Sequence, residues 1–435
     1  MAARVLGLLL LAAVAAGEPA VPGDPVAARR ARRTRLAAQL GRDYALVLGQ
    51  PLTDVLLPRQ EGHFLYLAGV EDPGAALLLA GAKARELGLR RDGRKVATGE
   101  ALFLVEAGDG YARFYGQRHR PGAATERELG LAAFPSPRND DDLGRAIAKL
   151  LPKGARLHVP SYKGPDHAPV RERRETLLAA LQEARRDVVV EDLHPVLRSM
   201  RVVKDPLEVE SIRRAIGVTL AAFRDALPEI RPGSNEAVVD GALLFGVRRR
   251  GALPAYTFVV AGGANSTIPH YFRNEMDLAE GDLLLIDAGA AVDRYAADVT
   301  RTFPVSGRFT ARQREVYEAV LEAQLAAIAA VKPGATLKEV DAAARGVLKG
   351  KGLDRHFIHG TSHHVGLDVH DPGASILAPG MTITVEPGVY IADEGLGIRI
   401  EDTVLVTEDG VEVLSADFPK APDDIERLLA AATPR

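Results

Sequence analysis

Leu283-Leu284-Leu285-Ile286-Asp287-Ala288-Gly289-Ala290 and, eleven residues beyond its acid, Ala297-Asp298-Val299-Thr300-Arg301 set the frame for the whole chain. An apolar run ends on an acid, small residues break it, and a second strand-forming run begins beside another acid. That pattern predicts two antiparallel strands joined by a short turn. Such a pair brings Asp287 and Asp298 side by side, and two like charges placed together in a core need a cation.

Two further acids occupy comparable positions. Glu386 follows Met381-Thr382-Ile383-Thr384-Val385 and is followed at once by Pro387-Gly388, which stops a strand. Glu401 lies in Gly397-Ile398-Arg399-Ile400-Glu401-Asp402, where apolar residues alternate. A strand of that pattern packs one face on a core and holds the acid at a cleft. One acid alone would read as a solvated strand end, but four in core-like positions do not.

Of the 11 histidines, four fall in His359-Gly360-Thr361-Ser362-His363-His364-Val365-Gly366-Leu367-Asp368-Val369-His370-Asp371. His359 and His363 are spaced like a helical zinc pair, yet Gly360 stands where that motif needs glutamate. Ser362 lacks the glycine-flanked elbow of a serine hydrolase.

The 435 residues have an ordinary globular composition, 47% hydrophobic and 26% charged, so the expectation is two domains, with disorder and collagen-like repeats excluded. Cysteine is absent, which removes disulfides, thiol nucleophiles, iron-sulfur clusters and cysteine zinc sites. Any metal must sit on His, Asp and Glu, a bias toward harder ions. The net charge of -3 hides an asymmetry: 30 Lys/Arg against 24 Asp/Glu in residues 1–200, and 25 against 34 in 201–435. The run Arg29-Arg30-Ala31-Arg32-Arg33 has no interleaved aromatics, so no nucleic-acid partner is expected.

Met1–Ala16 reads as a signal peptide, with Arg4, an apolar stretch from Val5 to Ala16, and small residues at Ala13, Ala15 and Ala16 for cleavage between Ala13 and Gly17. The stretch is too short to span a bilayer. The expectation is an exported, periplasmic or secreted protein with no membrane anchor in its mature form. A helix is expected over 26–40, followed by a buried strand Tyr44–Gly49 and strand-like apolar runs Phe64–Leu67, Ala75–Ala80 and Ala101–Val105. Helical stretches at 141–151 and 171–185 complete an α/β pattern with mixed strands. Asp205-Pro206 with Glu208 opens a helix to about residue 228. The chain therefore divides into a leader 1–16, an amino-terminal domain 17–200 and a catalytic domain 201–435. In the latter, capping boxes start helices at Thr310 and Thr336. Strands are expected over Tyr256–Ala261, Asp282–Asp287, Ala296–Phe303, Met381–Val385, Ile398–Thr407 and Val411–Ser415.

The ordered set Asp287, Asp298, His363, Glu386 and Glu401 resembles the five metal ligands of the pita-bread metallopeptidases, the group of aminopeptidase P, prolidase and methionine aminopeptidase. The words Asp298-Val-Thr-Arg-Thr-Phe-Pro-Val, Thr384-Val-Glu-Pro-Gly-Val-Tyr, Gly397-Ile-Arg-Ile-Glu-Asp and the histidine run are most like aminopeptidase P and prolidase. Arg59-Gln60-Glu61-Gly62-His63-Phe64-Leu65-Tyr66-Leu67-Ala68-Gly69-Val70 is similar to that family's amino-terminal domain, so the resemblance runs from about residue 26 to 418. It implies an α/β (α+β) chain whose amino-terminal mixed-sheet domain precedes a pita-bread catalytic domain. It further implies two divalent ions, by family habit Mn²⁺ with Zn²⁺ or Co²⁺ as substitutes. Asp287 would hold one ion, His363 and Glu386 the other, and Asp298 and Glu401 both. A hydroxide bridging the ions would attack the peptide carbonyl, with Glu386 as proton shuttle.

By the same resemblance His270, His359 and His370 contact substrate and stabilise the oxyanion, and Arg399 supports a ligand such as Asp287. His364 departs from the family, which often has an aromatic there. The implied reaction releases the N-terminal residue from peptides with proline second, a tertiary amide bond. The alternatives are a prolidase limited to Xaa-Pro dipeptides and, from another class, a catalytically inactive peptide-binding module. A homodimer or homotetramer is implied as well.

Overall fold

The computed structural model describes residues 23–51, 59–106, 112–114, 116–163 and 167–432. The expected leader lies outside them. Asp24 caps the first helix, Pro25–Leu40, by accepting the Val26 N–H at 2.8 Å. The chain then enters a six-stranded mixed sheet ordered Ala133–Pro135, Glu100–Leu104, Ala76–Ala80, Tyr44–Leu48, Arg156–Val159, Val189–Asp192. Tyr44–Leu48 runs antiparallel to Ala76–Ala80 and parallel to Arg156–Val159. Its side chains alternate between two cores. Tyr44, Leu46 and Leu48 pack with Ile147 and Leu177 of helices Asp140–Leu150 and Ala168–Ala184. Ala45 and Val47 pack with Leu36 and Phe64 on the other face.

Phe64–Leu67 is not a strand. It lies in the helix Gly62–Ala68, which Glu61 caps by accepting the Phe64 N–H at 2.7 Å and Gly69 ends in the left-handed conformation.

Beyond the helix His194–Arg201, Asp205 opens helix Pro206–Ala226 with a complete capping box to Glu208. Thr310 and Thr336 do the same for helices Ala311–Ala330 and Leu337–Gly350. One large core joins these helices to strands Leu283–Ala288, Val299–Pro304, Thr382–Val385 and Asp402–Val406. Two expected strands are interrupted. Tyr295–Ala296 pairs with Ala290–Val292, whereas Val299–Pro304 pairs with Leu283–Ala288, so Asp298 falls at the step between sheets. Likewise Leu396–Arg399 pairs with Gly388–Ile391 and Asp402–Val406 with Thr382–Val385, leaving Glu401 in the gap. There the Glu401 N–H donates to the Thr300 carbonyl at 3.1 Å. Leaving a ladder re-aims a side chain, and here it aims both acids at one place. No helix among the described residues is long and apolar enough to cross a membrane.

Candidate metal centre

The two aspartates meet as the sequence predicts. The register sets Asp287 opposite Thr300 and Ala288 opposite Val299, one residue short of Asp298. A Cβ on Gly289 would overlap the Ala297 carbonyl oxygen, so only glycine lets these segments pass. The Tyr256 hydroxyl lies 2.6 Å from Asp287 Oδ1 and also contacts Asp298 Oδ1.

Asp298, His363 and Glu401 each offer a ligand atom within 4.8 Å of the others. His363 Nε2 lies 3.4 Å from Asp298 Oδ2 and 3.4 Å from Glu386 Oε1. His363 Nδ1 is 3.1 Å from the His364 carbonyl oxygen, which can only accept, so Nδ1 carries the hydrogen. Its Nε2 thereby points between two carboxylates, where it carries a proton in the absence of metal and would present its lone pair to an ion. Thr384 fixes Glu386, donating from Oγ1 to Oε1 at 3.1 Å, and Thr300 donates to Glu401 Oε2 at 2.6 Å.

The charges show what this cluster lacks. Burial, only partly relieved by Arg399, pushes the Asp287 carboxyl up to about 6. Burial likewise raises Glu386 to about 7 against the pull of His363, and holds Glu401 well above the carboxylate range, with Asp298 adding repulsion. For His363, burial disfavours the cation, but the Asp298 hydrogen bond and the charges of Glu386 and Asp298 outweigh it and raise the imidazole to about 9. The protein alone keeps protons where positive charge is missing. Carboxylates with one neutral imidazole and no thiol fit hard or borderline divalent ions.

Arg399, 3% exposed, donates from Nη2 to Asp287 Oδ2 at 2.7 Å, from Nε to Thr300 Oγ1 at 3.1 Å and from Nη1 to the Tyr390 hydroxyl at 2.9 Å. Tyr390 reaches on to His359 Nε2 at 2.8 Å. His359 Nδ1 faces the Gly360 carbonyl at 2.9 Å and so carries the hydrogen, leaving Nε2 to accept from Tyr390. Burial, with Arg399 among the cations nearby, lowers His359 to about 4 and keeps it neutral. His370 is exposed, its ring edge-on to that of His363 at 4.4 Å. His270 is exposed beside the site, stacked on Phe272 at 5.9 Å, and a charge on it opposes one on His359.

His364 turns away from the cluster. Its Nε2 meets the Ala374 backbone, burial holds it at about 4, and the ring is 3% exposed.

Tyr256, Thr300, Tyr390 and Thr384 were not singled out from the sequence. Thr300 and Thr384 stand two residues from Asp298 and Glu386, a spacing that puts strand neighbours on one face. Tyr256 and Tyr390 carried no such mark.

Buried carboxylates converging on one imidazole, braced by a guanidinium and bordered by the exposed His270 and His370, make a site fit for divalent metal. The model for metallopeptidase family M24 matches residues 210–408. The chain is 34% identical over 388 residues to the Xaa-Pro aminopeptidase of Haemophilus influenzae, covering 82% of this chain and 84% of that one. It is 41% identical over 198 residues to the Xaa-Pro dipeptidase of Pyrococcus furiosus, covering 44% of this chain and 57% of that one. The solved structure of zinc-substituted Escherichia coli aminopeptidase P with product superposes with a TM-score of 0.81 at 32% identity, over 95% of this chain and all of the other. The chain belongs to the aminopeptidase P family of pita-bread metallopeptidases, with an amino-terminal α/β domain preceding the pita-bread catalytic domain.

Proposed function

We propose that the protein is a metal-dependent aminopeptidase that removes the N-terminal residue from peptides with proline in second place. The observation that carries this reading is the convergence of Asp298, His363, Glu386 and Glu401, with Asp287 tied in through Tyr256. Asp287 would hold one divalent ion, His363 and Glu386 a second, and Asp298 and Glu401 both, with Mn²⁺ the ion proposed. Bound there, the ions supply acidification of the attacking water and polarisation of the scissile carbonyl.

The chain's own residues do the rest. Glu386 takes the proton of the attacking water at its carboxylate and delivers it to the leaving proline nitrogen, its Oε1 held by the Thr384 hydroxyl. His270 and His370, open to solvent at the rim, contact the peptide, and His359 joins them with its ring orientation set by Tyr390. Arg399 keeps Asp287 ionised and aligned. Export through a leader at residues 1–16, division into 17–200 and 201–435, and assembly as a homodimer or homotetramer belong to the same proposal.

The test is Mn²⁺-stimulated hydrolysis of an Xaa-Pro-Xaa tripeptide by wild type and Glu386→Gln, with bound metal measured in both. A loss of about 10²–10⁴-fold in kcat is expected for the variant; equal rates would overturn the mechanism. Hydrolysis of an Xaa-Pro dipeptide but not the tripeptide would select the prolidase reading instead.

A further inference from the structure

Gly62 and His63 of the amino-terminal domain lie against the His363–Asp371 loop, whose Leu367 packs on the amino-terminal core and whose acids are tied to His63 by Arg201. Only 2% exposed at the end of helix His194–Arg201, it donates from Nη2 to Asp368 Oδ2 at 2.7 Å and to Asp371 Oδ1 at 2.5 Å. Its Nη1 lies 3.1 Å from His63 Nδ1. A guanidinium only donates, so Nδ1 accepts and His63 is neutral there. Lys204 adds a bond from Nζ to Asp371 Oδ2 at 3.1 Å. Gly62 makes room for the cluster: a Cβ there would come within 2.5 Å of Asp368 Oδ2 and 2.8 Å of Arg201 Nη1.

The loop from His363 to Asp371 is held at two ends by different means. Its first part is tied to strand Thr382–Val385: Thr384 N–H donates to the His363 carbonyl at 2.9 Å and Val365 N–H to the Thr382 carbonyl at 3.1 Å. Its second part folds around the Asp371 carboxylate, which accepts the Asp368 N–H at 3.2 Å and both buried cations. His370 lies between the two acids that Arg201 grips. The Asp371 N–H also donates to the His364 carbonyl at 2.9 Å and Lys204 keeps its bond to the carboxylate, so loss of Arg201 should spare His363 and loosen His370 without freeing it.

We propose that Arg201 is a positioning residue for peptide hydrolysis: by gripping Asp368 and Asp371 it fixes His370 against His363, and through His63 and Gly62 it makes that placement depend on the amino-terminal domain. The inference rests on the aminopeptidase reading above. The guanidinium holds both carboxylates from Nη2 and the imidazole from Nη1; a lysine ammonium offers one nitrogen on a shorter stem for all three, so Arg201→Lys should restore only part of the function.

The experiment uses the full chain saturated with Mn²⁺ and an Xaa-Pro-Xaa tripeptide, comparing wild type, Arg201→Gln, Arg201→Lys, His370→Ala and the double variant Arg201→Gln/His370→Ala. Expected are a fall in kcat of about 10–100-fold for Arg201→Gln with bound metal per chain unchanged, partial recovery in Arg201→Lys, and less than about a threefold further loss when Arg201→Gln is added to His370→Ala. Should Arg201→Gln fail to fold, Asp368→Asn, at a partly exposed position, runs the same cycle. An active wild type in which the two losses multiply, or in which metal is lost in step with activity, overturns the inference alone. A wild type inert toward the tripeptide sinks the aminopeptidase reading and this inference with it.

Discussion

Removing the divalent ions should make the protein progressively less stable as pH rises from about 6.5 to 8, and restoring them should abolish that part of the slope. In the metal-free fold His363 is raised from 6.5 to about 9 and Glu386 from 4.5 to about 7. The folded state then binds protons that the unfolded state has released, so stability falls with pH, by about 1.4 kcal/mol per unit for each proton retained. The favourable share of His363 is complete below 6.5 and drains away as pH climbs toward 9. Glu386 carries no penalty below 4.5 and its full penalty above 7, so most of its share precedes this window. Together they give about 2–3 kcal/mol across the window, to which Asp287 and Glu401, also raised, add loss of the same sign; at about 1 °C per kcal/mol for a chain of 435 residues this is a shift of at least about 2–3 °C. His359 and His364, both lowered to about 4 by burial, are neutral in both states above 6.5 and drop out. Glu61, raised by burial to about 8, titrates with or without metal and cancels in the difference. Bound ions require deprotonated ligands. Thermal unfolding of chelator-treated and Mn²⁺-saturated protein in steps through this range therefore gives a melting-temperature difference that widens with pH. A constant or narrowing difference would refute the placement of His363 and Glu386 around shared positive charge.

Two substitutions probe the supports of the centre. Tyr256→Phe removes the hydroxyl that touches both Asp287 and Asp298; calorimetric titration with Mn²⁺ should show affinity down by about 10–100-fold, and unchanged affinity would mean the hydroxyl orients nothing. Asp402→Asn strips the carboxylate that faces Arg301 at 2.7 Å and Lys420 at 2.6 Å in a fully buried position. It should cost about 3–5 kcal/mol in urea unfolding, because two cations are left underpaired, and a loss below about 1 kcal/mol would count against that account.

How much of this could be read from the sequence follows from what each pattern encodes. The meeting of Asp287 and Asp298 was legible because a strand, a small-residue break and a second strand leave the chain few ways to turn. The capping boxes at Asp205, Thr310 and Thr336 were legible because the bonding partners lie three residues apart. Phe64–Leu67 was misread because four apolar residues fit a buried helix as well as a strand, and the deciding contact is a cap from Glu61. The breaks at Asp298 and Glu401 were invisible because alternation continues while the chain changes sheets. Tyr256 and Tyr390 were missed because their partners lie 31 and 42 residues away for the first, and 31 and 9 for the second. No local spacing reports such a bond.

Three guanidiniums, each no more than 3% exposed, show how the fold holds so many acids at one point. Arg399 grips the Asp287 carboxylate and Thr300. Arg301 donates to the backbone carbonyls of Thr300 and Glu401 and to the Asp402 carboxylate. Arg201 grips the acids on either side of His370. Each guanidinium therefore fixes a different segment that carries a proposed ligand or the proposed substrate contact His370, and each does so with several donors in a rigid plane. A buried charge is tolerable only where paired and hydrogen-bonded, so these arginines cannot let go singly without leaving an acid or a carbonyl stranded. Their positive charge offsets the acids behind the centre, Arg301 with Lys420 against Asp402 and Arg201 with Lys204 against Asp368 and Asp371. It does not neutralise Glu386 and Glu401, whose carboxyls stay raised despite Arg399. The scaffold thus leaves none of these acids without a cation while the centre does, and that difference is what makes the centre a binding site rather than part of the core.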